Sequence, residues 1–369
     1  MNILMITVRA DPGGGPEHVY QLSKALLETC SENVSLYIAS PEDYPYCKKY
    51  RDLVGIRQVV IVPHRKFKAL KFLNLIKFIR SNKIDIIHSH GKGAGIYSRL
   101  LSTFTQVPCV HSFHGVHIGE YNFLQKNIYL TLERILSIFT SQVIATSKSE
   151  FEIFSTLKLC KESKISTIYN GVQIDEKANS YHKSTVNSTQ IISMVRFTYQ
   201  KNVEMQIKIA KSLSEKELAN NVTFLILGEG ETKKQFIEDL YNEKLQDYFK
   251  LEDFVSNRYD LLENSLCYLS TSRWEGMPLS LIEAMACGLP IIATAVPGNV
   301  DLVIHNETGF LFDQDSPEEA AEYIKLLIQN QELHASMSAK SRETAINLFS
   351  SKQMAKRMYS LYSKLIFDA

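Results

Sequence analysis

Several things this 369-residue sequence lacks limit its class before any motif is read. No run approaches the roughly 20 consecutive apolar residues that a membrane-spanning helix needs. The six cysteines (Cys30, Cys47, Cys109, Cys160, Cys267 and Cys287) are scattered, with no Cys-x-x-Cys pair and no His/Cys cluster at metal-ligand spacing. Thiols placed in apolar runs are expected to be reduced and buried, which excludes a disulfide framework and a structural zinc and points to a reducing cytoplasm. Met1 to Val8 is apolar, lacks a basic n-region and meets Asp11 and three glycines too soon for a secretory signal. There is no low-complexity tract and no short-period repeat. A large charge excess is missing too: the formal net charge is +1, which argues against a general nucleic-acid binder.

What is present fits a soluble or peripheral globular chain. Hydrophobic residues make up 45% and charged residues 22%, and the length suits two domains of ordinary size. The near-neutral total hides an asymmetry. Residues 1–175 hold 21 Lys and Arg against 14 Asp and Glu, whereas residues 176–369 hold 20 against 26. A basic amino-terminal half suits an anionic partner such as a membrane surface or a lipid phosphate.

Read in order, the chain alternates short apolar runs with helical patterns. Asn2 to Val8 reads as a strand buried on both faces, entering Gly13-Gly14-Gly15-Pro16-Glu17-His18 and then a helix through Val19, Leu22, Leu26 and Leu27. Gly14 and Gly15 would let a ligand approach the backbone closely. Val34 to Ala39 and Gly55 to Val62 read as strands. His64 to Lys83 carries seven basic residues and no acid. Its stripe of Phe72, Leu75, Ile76 and Ile79 predicts a crossover helix on the sheet, with a basic flank free to face anionic lipid. Ile84 to His88 and Val107 to Val110 are further strands. The second runs into His111-Ser112-Phe113-His114-Gly115-Val116-His117, three histidines at the carboxyl edge where doubly wound sheets bind ligands. No carboxylate at helical spacing completes a metal set, so no metal is expected there. After a strand at Val143 to Ala145, and Ile165 to Ile168 leading to the Asn170-Gly171-Val172 turn, residues 176–190 are polar and patternless, the best linker candidate. This divides the chain into domains at 1–175 and 191–350.

The alternation then restarts. Ile191 to Val195 is a strand followed by Arg196 and Lys201 ahead of a helix, two cations suited to a diphosphate. Val222 to Leu227 ends in Gly228, and a short strand is expected near Phe254 and Val255. Gly228 and Val255 are further donor-side candidates. Between apolar runs at Ser265 to Leu269 and Pro290 to Ala295 lies Arg273 to Pro290, with a turn at Gly276, Pro278 expected at the first helical position, and Gly288 and Pro290 ending the helix. The N–H groups of Met277, Leu279 and Ser280 would face an anion. Taken alone, Glu275 and Glu283 could equally be a helix-dipole partner and a solvated residue.

The ordered motifs resemble a known family. Glu275-Gly276-Met277-Pro278-Leu279-Ser280-Leu281-Ile282-Glu283 is similar to the Glu-x7-Glu motif of retaining glycosyltransferases of family 4. Arg196 and Lys201 resemble that family's diphosphate-binding pair, Asn170-Gly171-Val172 its Asn-Gly-Val segment, Gly14-Gly15-Pro16-Glu17 its Gly-Gly-x-Glu loop, and Ser112-Phe113-His114-Gly115 its Thr-x-His-Gly segment. Ser112 departs from the commoner threonine, and Asp301 stands where the family often has glutamate. The resemblance implies an α/β GT-B fold: two facing Rossmann-like doubly wound domains with an interdomain cleft, the helix at about 351–369 packing back on the first domain. It implies transfer of a hexose or N-acetylhexosamine from a nucleotide diphosphate sugar, UDP-linked, to a hydroxyl of a lipid-linked saccharide in capsule, exopolysaccharide or O-antigen synthesis. Configuration would be retained, no metal or other cofactor required, and the enzyme peripheral on the inner face of the cell membrane. Glu283 would hold the ribose, and Glu275 the transferred sugar. Arg196 and Lys201, with the backbone from Gly276 to Leu279, would hold the diphosphate, and His114 the sugar or diphosphate. Alternatives are a GT-B nucleotide-sugar epimerase or hydrolase, which would release sugar without an acceptor, and a non-catalytic GT-B partner subunit.

Overall fold

Short Val/Ile/Leu-rich runs with no polar alternation become strands buried on both faces, and each crossover helix covers a face, so the sheets are parallel. The computed structural model describes residues 1–115, 121–175, 189–214, 222–253 and 258–367. They fall into two units: Met1–Gln173 with Phe349–Ala369, and Ile174–Leu348.

The first unit runs β1 (Asn2–Thr7), α1 (Gly14–Cys30), β2 (Ser35–Ser40), α2 (Tyr46–Val54), β3 (Val59–Ile61), α3 (Ala69–Ser81), β4 (Ile86–His90), α4 (Lys92–Thr105), β5 (Cys109–Ser112), α5 (Phe123–Ile138), β6 (Gln142–Ala145), α6 (Lys148–Thr156) and β7 (Ile165–Thr167). Its seven strands lie in the order β3-β2-β1-β4-β5-β6-β7, every pair parallel. The second unit runs β8 (Gln190–Met194), α7 (Met205–Ser214), β9 (Thr223–Leu227), α8 (Lys233–Asn242), β10 (Phe249–Glu252), α9 (Arg258–Glu263), β11 (Cys267–Ser270), α10 (Leu279–Ala286), β12 (Ile291–Thr294), β13 (Gly309–Phe312), α11 (Pro317–Gln329) and α12 (Gln331–Leu348). Its six strands are ordered β10-β9-β8-β11-β12-β13, again all parallel. The chain then returns to the first unit as α13 (Ser351–Phe367).

Alternate residues of each strand feed opposite layers. Ile3 and Met5 of β1 join the cluster built by α1, α2 and α13, the last through Met354, Ala355, Met358 and Tyr362. Leu4 and Ile6 face the other side, where Phe72, Leu75 and Ile79 of α3 and Ala94, Tyr97 and Leu101 of α4 pack. Farther along that side, Leu130 of α5 and Phe154 of α6 cover Val143 and Ala145 of β6. In both sheets the strand order reverses beside the first strand, between β1 and β4 and between β8 and β11, which opens a crevice at the carboxyl edge.

Several boundaries differ from the sequence reading. The run 55–62 is a strand only at Val59–Ile61, because Tyr46–Val54 ahead of it is helical and Gly55 ends that helix at φ 96°. The crossover helix begins at Ala69, since Arg65 takes a left-handed φ of 48°. A strand lies at Phe249–Glu252, whereas Phe254, near which one was expected, is outside the described residues. Val255, His117 and residues 176–188 of the linker lie outside the described residues.

Candidate active site

In the second unit the crevice between β8 and β11 gathers charge. The segment after β8 turns at Asn202, in a left-handed conformation with φ 48°, just beyond Lys201. Lys201 Nζ lies 2.5 Å from Glu275 Oε1, and Ser272 Oγ donates to the same oxygen at 2.7 Å. Both contacts fall on Oε1, and among the described residues none falls on Oε2. Glu275 is thus a buried carboxylate with one oxygen fixed and one left to accept hydroxyl protons. Arg196 is half-buried at the carboxyl end of β8. The turn carrying Glu275 is closed by Gly298 at φ 86°, where a Cβ would sit 2.6 Å from the Gly276 carbonyl oxygen. Asp301, in place of the family's glutamate, accepts the Gly298 N–H at 3.2 Å.

Pro278 is not the first helical residue. It stands at the N-cap with extended backbone, φ −71° and ψ 120°, and α10 starts at Leu279. The Met277 N–H therefore lies outside the first turn, whose N–H groups are those of Leu279, Ser280 and Leu281. Glu283, one turn in, is buried and gripped by Arg258 through Nη2–Oε1 at 3.0 Å and Nε–Oε2 at 3.3 Å, with Tyr259 OH at 3.4 Å. Gly228 ends β9, and its carbonyl accepts Lys233 Nζ at 3.0 Å. Neither Arg258 nor Ser272 was picked out from sequence. An Arg-Tyr pair opening a helix is common, and nothing in its spacing ties it to position 283.

In the first unit His114 meets two histidines that come from other elements, α1 and β4. Ring nitrogens of His18, His90 and His114 all lie within 4.8 Å of one another. His90 Nδ1 and His114 Nε2 are 3.1 Å apart, and the His18 and His114 rings meet edge-on at 4.5 Å. The readable signal was His88-Ser89-His90, whose period of two sends both rings to the face that α1 covers. His88 is fixed behind them by Tyr362 OH at 2.5 Å and Ser112 Oγ at 2.9 Å. His111 points to the other face and is held by Ser89 Oγ.

Burial, followed by the neighbouring imidazoles, pushes the pKa of His18 and His90 well below the ordinary value. Burial and then the Arg99 charge do the same to His111, and His88 is lowered to about 3. These rings are neutral at pH 7, each offering one donor and one acceptor. His114 takes a left-handed φ of 57°, and Gly115 beside it is held by Glu150, which accepts its N–H at 2.6 Å and that of Thr146 at 2.5 Å. Gly14 and Gly15 open α1 with no described protein atom within 4 Å of where a Cβ would stand, so packing does not require their bareness.

A parallel doubly wound unit with a lysine–glutamate pair at its switch point, joined to a second such unit with imidazoles at its own, is the architecture of GT-B sugar transferases. Residues 12–176 match the family model Glycosyltransferase Family 4, and residues 175–344 match Glycosyl transferases group 1. The chain belongs to glycosyltransferase family 4 and has its two-domain α/β GT-B fold. It is 26% identical over 308 residues, covering 80% of this chain and 79% of the other, to the Escherichia coli UDP-Gal:alpha-D-GlcNAc-diphosphoundecaprenol alpha-1,3-galactosyltransferase. It is 26% identical, over 92% of each chain, to the capsular polysaccharide biosynthesis glycosyltransferase CapM of Staphylococcus aureus. Anabaena HepE, solved with UDP and glucose, superposes with a TM-score of 0.82 at 19% identity, covering 99% of this chain and all of that one.

Proposed function

We propose that the protein transfers a hexose or N-acetylhexosamine from a UDP-sugar to a hydroxyl of a lipid-linked saccharide during synthesis of a surface polysaccharide, retaining the anomeric configuration and needing no metal. The observation that carries this reading is the Lys201–Glu275–Ser272 cluster at the switch point of the second sheet. The names of the relatives, a lipid-diphosphate galactosyltransferase and a capsule enzyme, support the donor and acceptor class. The charge that develops in the reaction is that of the departing diphosphate. Arg196, Lys201 and the first turn of α10 supply fixed positive potential for it, so no covalent step on the protein is needed. Glu275 Oε2 accepts hydroxyl protons of the transferred sugar, and Glu283, oriented by Arg258, accepts those of the ribose. His114 hydrogen-bonds the sugar or its diphosphate. A lipid-borne acceptor places the enzyme at the inner membrane face, where the basic residues from Arg65 to Lys83 favour anionic headgroups.

A panel of nucleotide sugars screened by thermal shift, then a transfer assay with the best stabiliser, tests the reading. Transfer that persists in EDTA and depends on added acceptor supports it. Sugar release without acceptor identifies the epimerase or hydrolase alternative, and binding without turnover identifies a partner subunit. Glu283→Ala should weaken UDP binding about tenfold or more, as loss of hydrogen bonds to a charged group does. Unchanged UDP affinity removes the ribose role.

A further inference from the structure

The first unit turns an apolar stripe outward. α5 buries Leu130, Glu133 and Leu136 against the unit. Leu124, Ile128, Leu132, Ile135 and Ile138 lie opposite and are exposed, Leu124, Ile128 and Ile138 by 67, 61 and 70%. At 3.6 residues per turn these five fall within an arc about 120° wide, the width of a core-facing stripe rather than of scattered surface leucines. On α3, α4 and α5 the exposed charge has one sign, and the neighbouring α6 adds exposed Lys148 and Glu152. α3, α4 and α5 cover the same face of the sheet, and α4 joins the other two: Phe104 meets Phe72 of α3 edge-on, and Arg99 meets Glu133 of α5 at 2.7 Å. That ion pair is buried. Outside it, the three helices carry six basic side chains and no acid. On α3, Leu70 and Leu73 are exposed beside Lys77 and Arg80.

An apolar arc rimmed by positive charge fits an anionic bilayer. A second copy of this chain would bring the same positive rim to the interface and be repelled. We propose that α5 is an in-plane membrane-insertion helix, its outward arc lying among acyl chains at the headgroup boundary while Lys71, Lys77 and Arg80 of α3 contact lipid phosphates. This names the docking element for the lipid-borne acceptor proposed above. It is measured without sugar transfer, so either reading can fail while the other stands.

The test uses the full chain and phosphatidylcholine vesicles with about one-third phosphatidylglycerol, an anionic content sufficient for surface-potential binding. Combined Leu124→Ser, Ile128→Ser and Ile135→Ser should leave the melting temperature unchanged and weaken co-sedimentation about a hundredfold, with transfer to a water-soluble acceptor analogue retained. Leu124→Trp in the otherwise native chain should show blue-shifted emission on these vesicles and quenching by brominated acyl chains. Unaltered vesicle affinity of the triple variant, or an unshifted Leu124→Trp spectrum, overturns insertion. Equal binding to pure phosphatidylcholine overturns the anionic requirement. A dimer in sedimentation that the triple variant dissolves would assign the face to a second copy instead.

Discussion

Glu275 is held from one side only, and that asymmetry makes its role testable. Replacing it by glutamine keeps the size but gives Lys201 a neutral partner and puts an amide donor at one of the two positions. Under the proposed mechanism turnover should fall by about a hundredfold or more, in the range for loss of a preorganised electrostatic contact, with near-native stability by urea titration. Ser272→Ala removes only the second anchor of Oε1 and should cost about tenfold. His88 makes a prediction of a different kind. Its folded pKa of about 3 lies below the ordinary 6.5, so the unfolded chain takes up a proton on this ring as pH drops below 6.5 while the folded chain does not. The stability it confers is therefore complete above pH 6.5 and is lost progressively toward pH 3, at about 1.4 kcal/mol per pH unit. Urea midpoints between pH 7 and 5 should fall less steeply in His88→Gln than in the native chain. At this scale the sequence was uneven. Glu275 and Lys201 could be read because a motif names them, whereas the partners of His114 come from α1 and β4, and only the folded sheet brings positions 18, 90 and 114 together.

Among elements, the turn between β11 and α10 depends on a glycine that belongs to neither. Gly298→Ala must find room for a methyl group 2.6 Å from the Gly276 carbonyl, at a φ of 86° that alanine resists. The turn carrying Glu275 should shift, destabilising the second unit by about 1–3 kcal/mol and weakening nucleotide affinity, with far-UV circular dichroism unchanged. Calorimetric titration with UDP measures the second effect. Elements with one apolar stripe, such as α3, were readable to within a few residues from periodicity. α5 was not, because residues apolar on both its inner and outer sides erase the period that marks an amphipathic helix. The missed helix and the exposed stripe thus share one cause. α2 was missed for another reason: it is nine residues long and buries only Tyr46, Cys47 and Tyr50, too short a stripe to stand out among Lys48, Lys49, Arg51 and Asp52.

For the molecule as a whole, two series of strand–helix alternation and a polar stretch between them were enough to read two doubly wound sheets. Parallel strands buried on both faces are written as unbroken apolar runs. The return of α13 to the first unit is implied by the family resemblance and not by the order of the elements. Deleting residues 349–369 should strip Met354, Ala355, Met358 and Tyr362 from the first unit's core and leave His88 Nδ1 without its hydroxyl partner. Hydrogen exchange should then accelerate across β1, β4 and α1 while β8, β9 and β11 stay protected.

The chain leaves the first unit and comes back beside its point of exit. The Val172 N–H donates to the Phe349 carbonyl at 3.0 Å, and the Ser351 N–H donates to the Val172 carbonyl at 2.7 Å. On the ribosome, the unit begun first is therefore the one completed last. Its seven strands are made early, but the layer that seals one face emerges only after some 175 intervening residues have been translated. Throughout that interval the nascent chain carries an open apolar seam, the state for which cells keep chaperones near the exit tunnel.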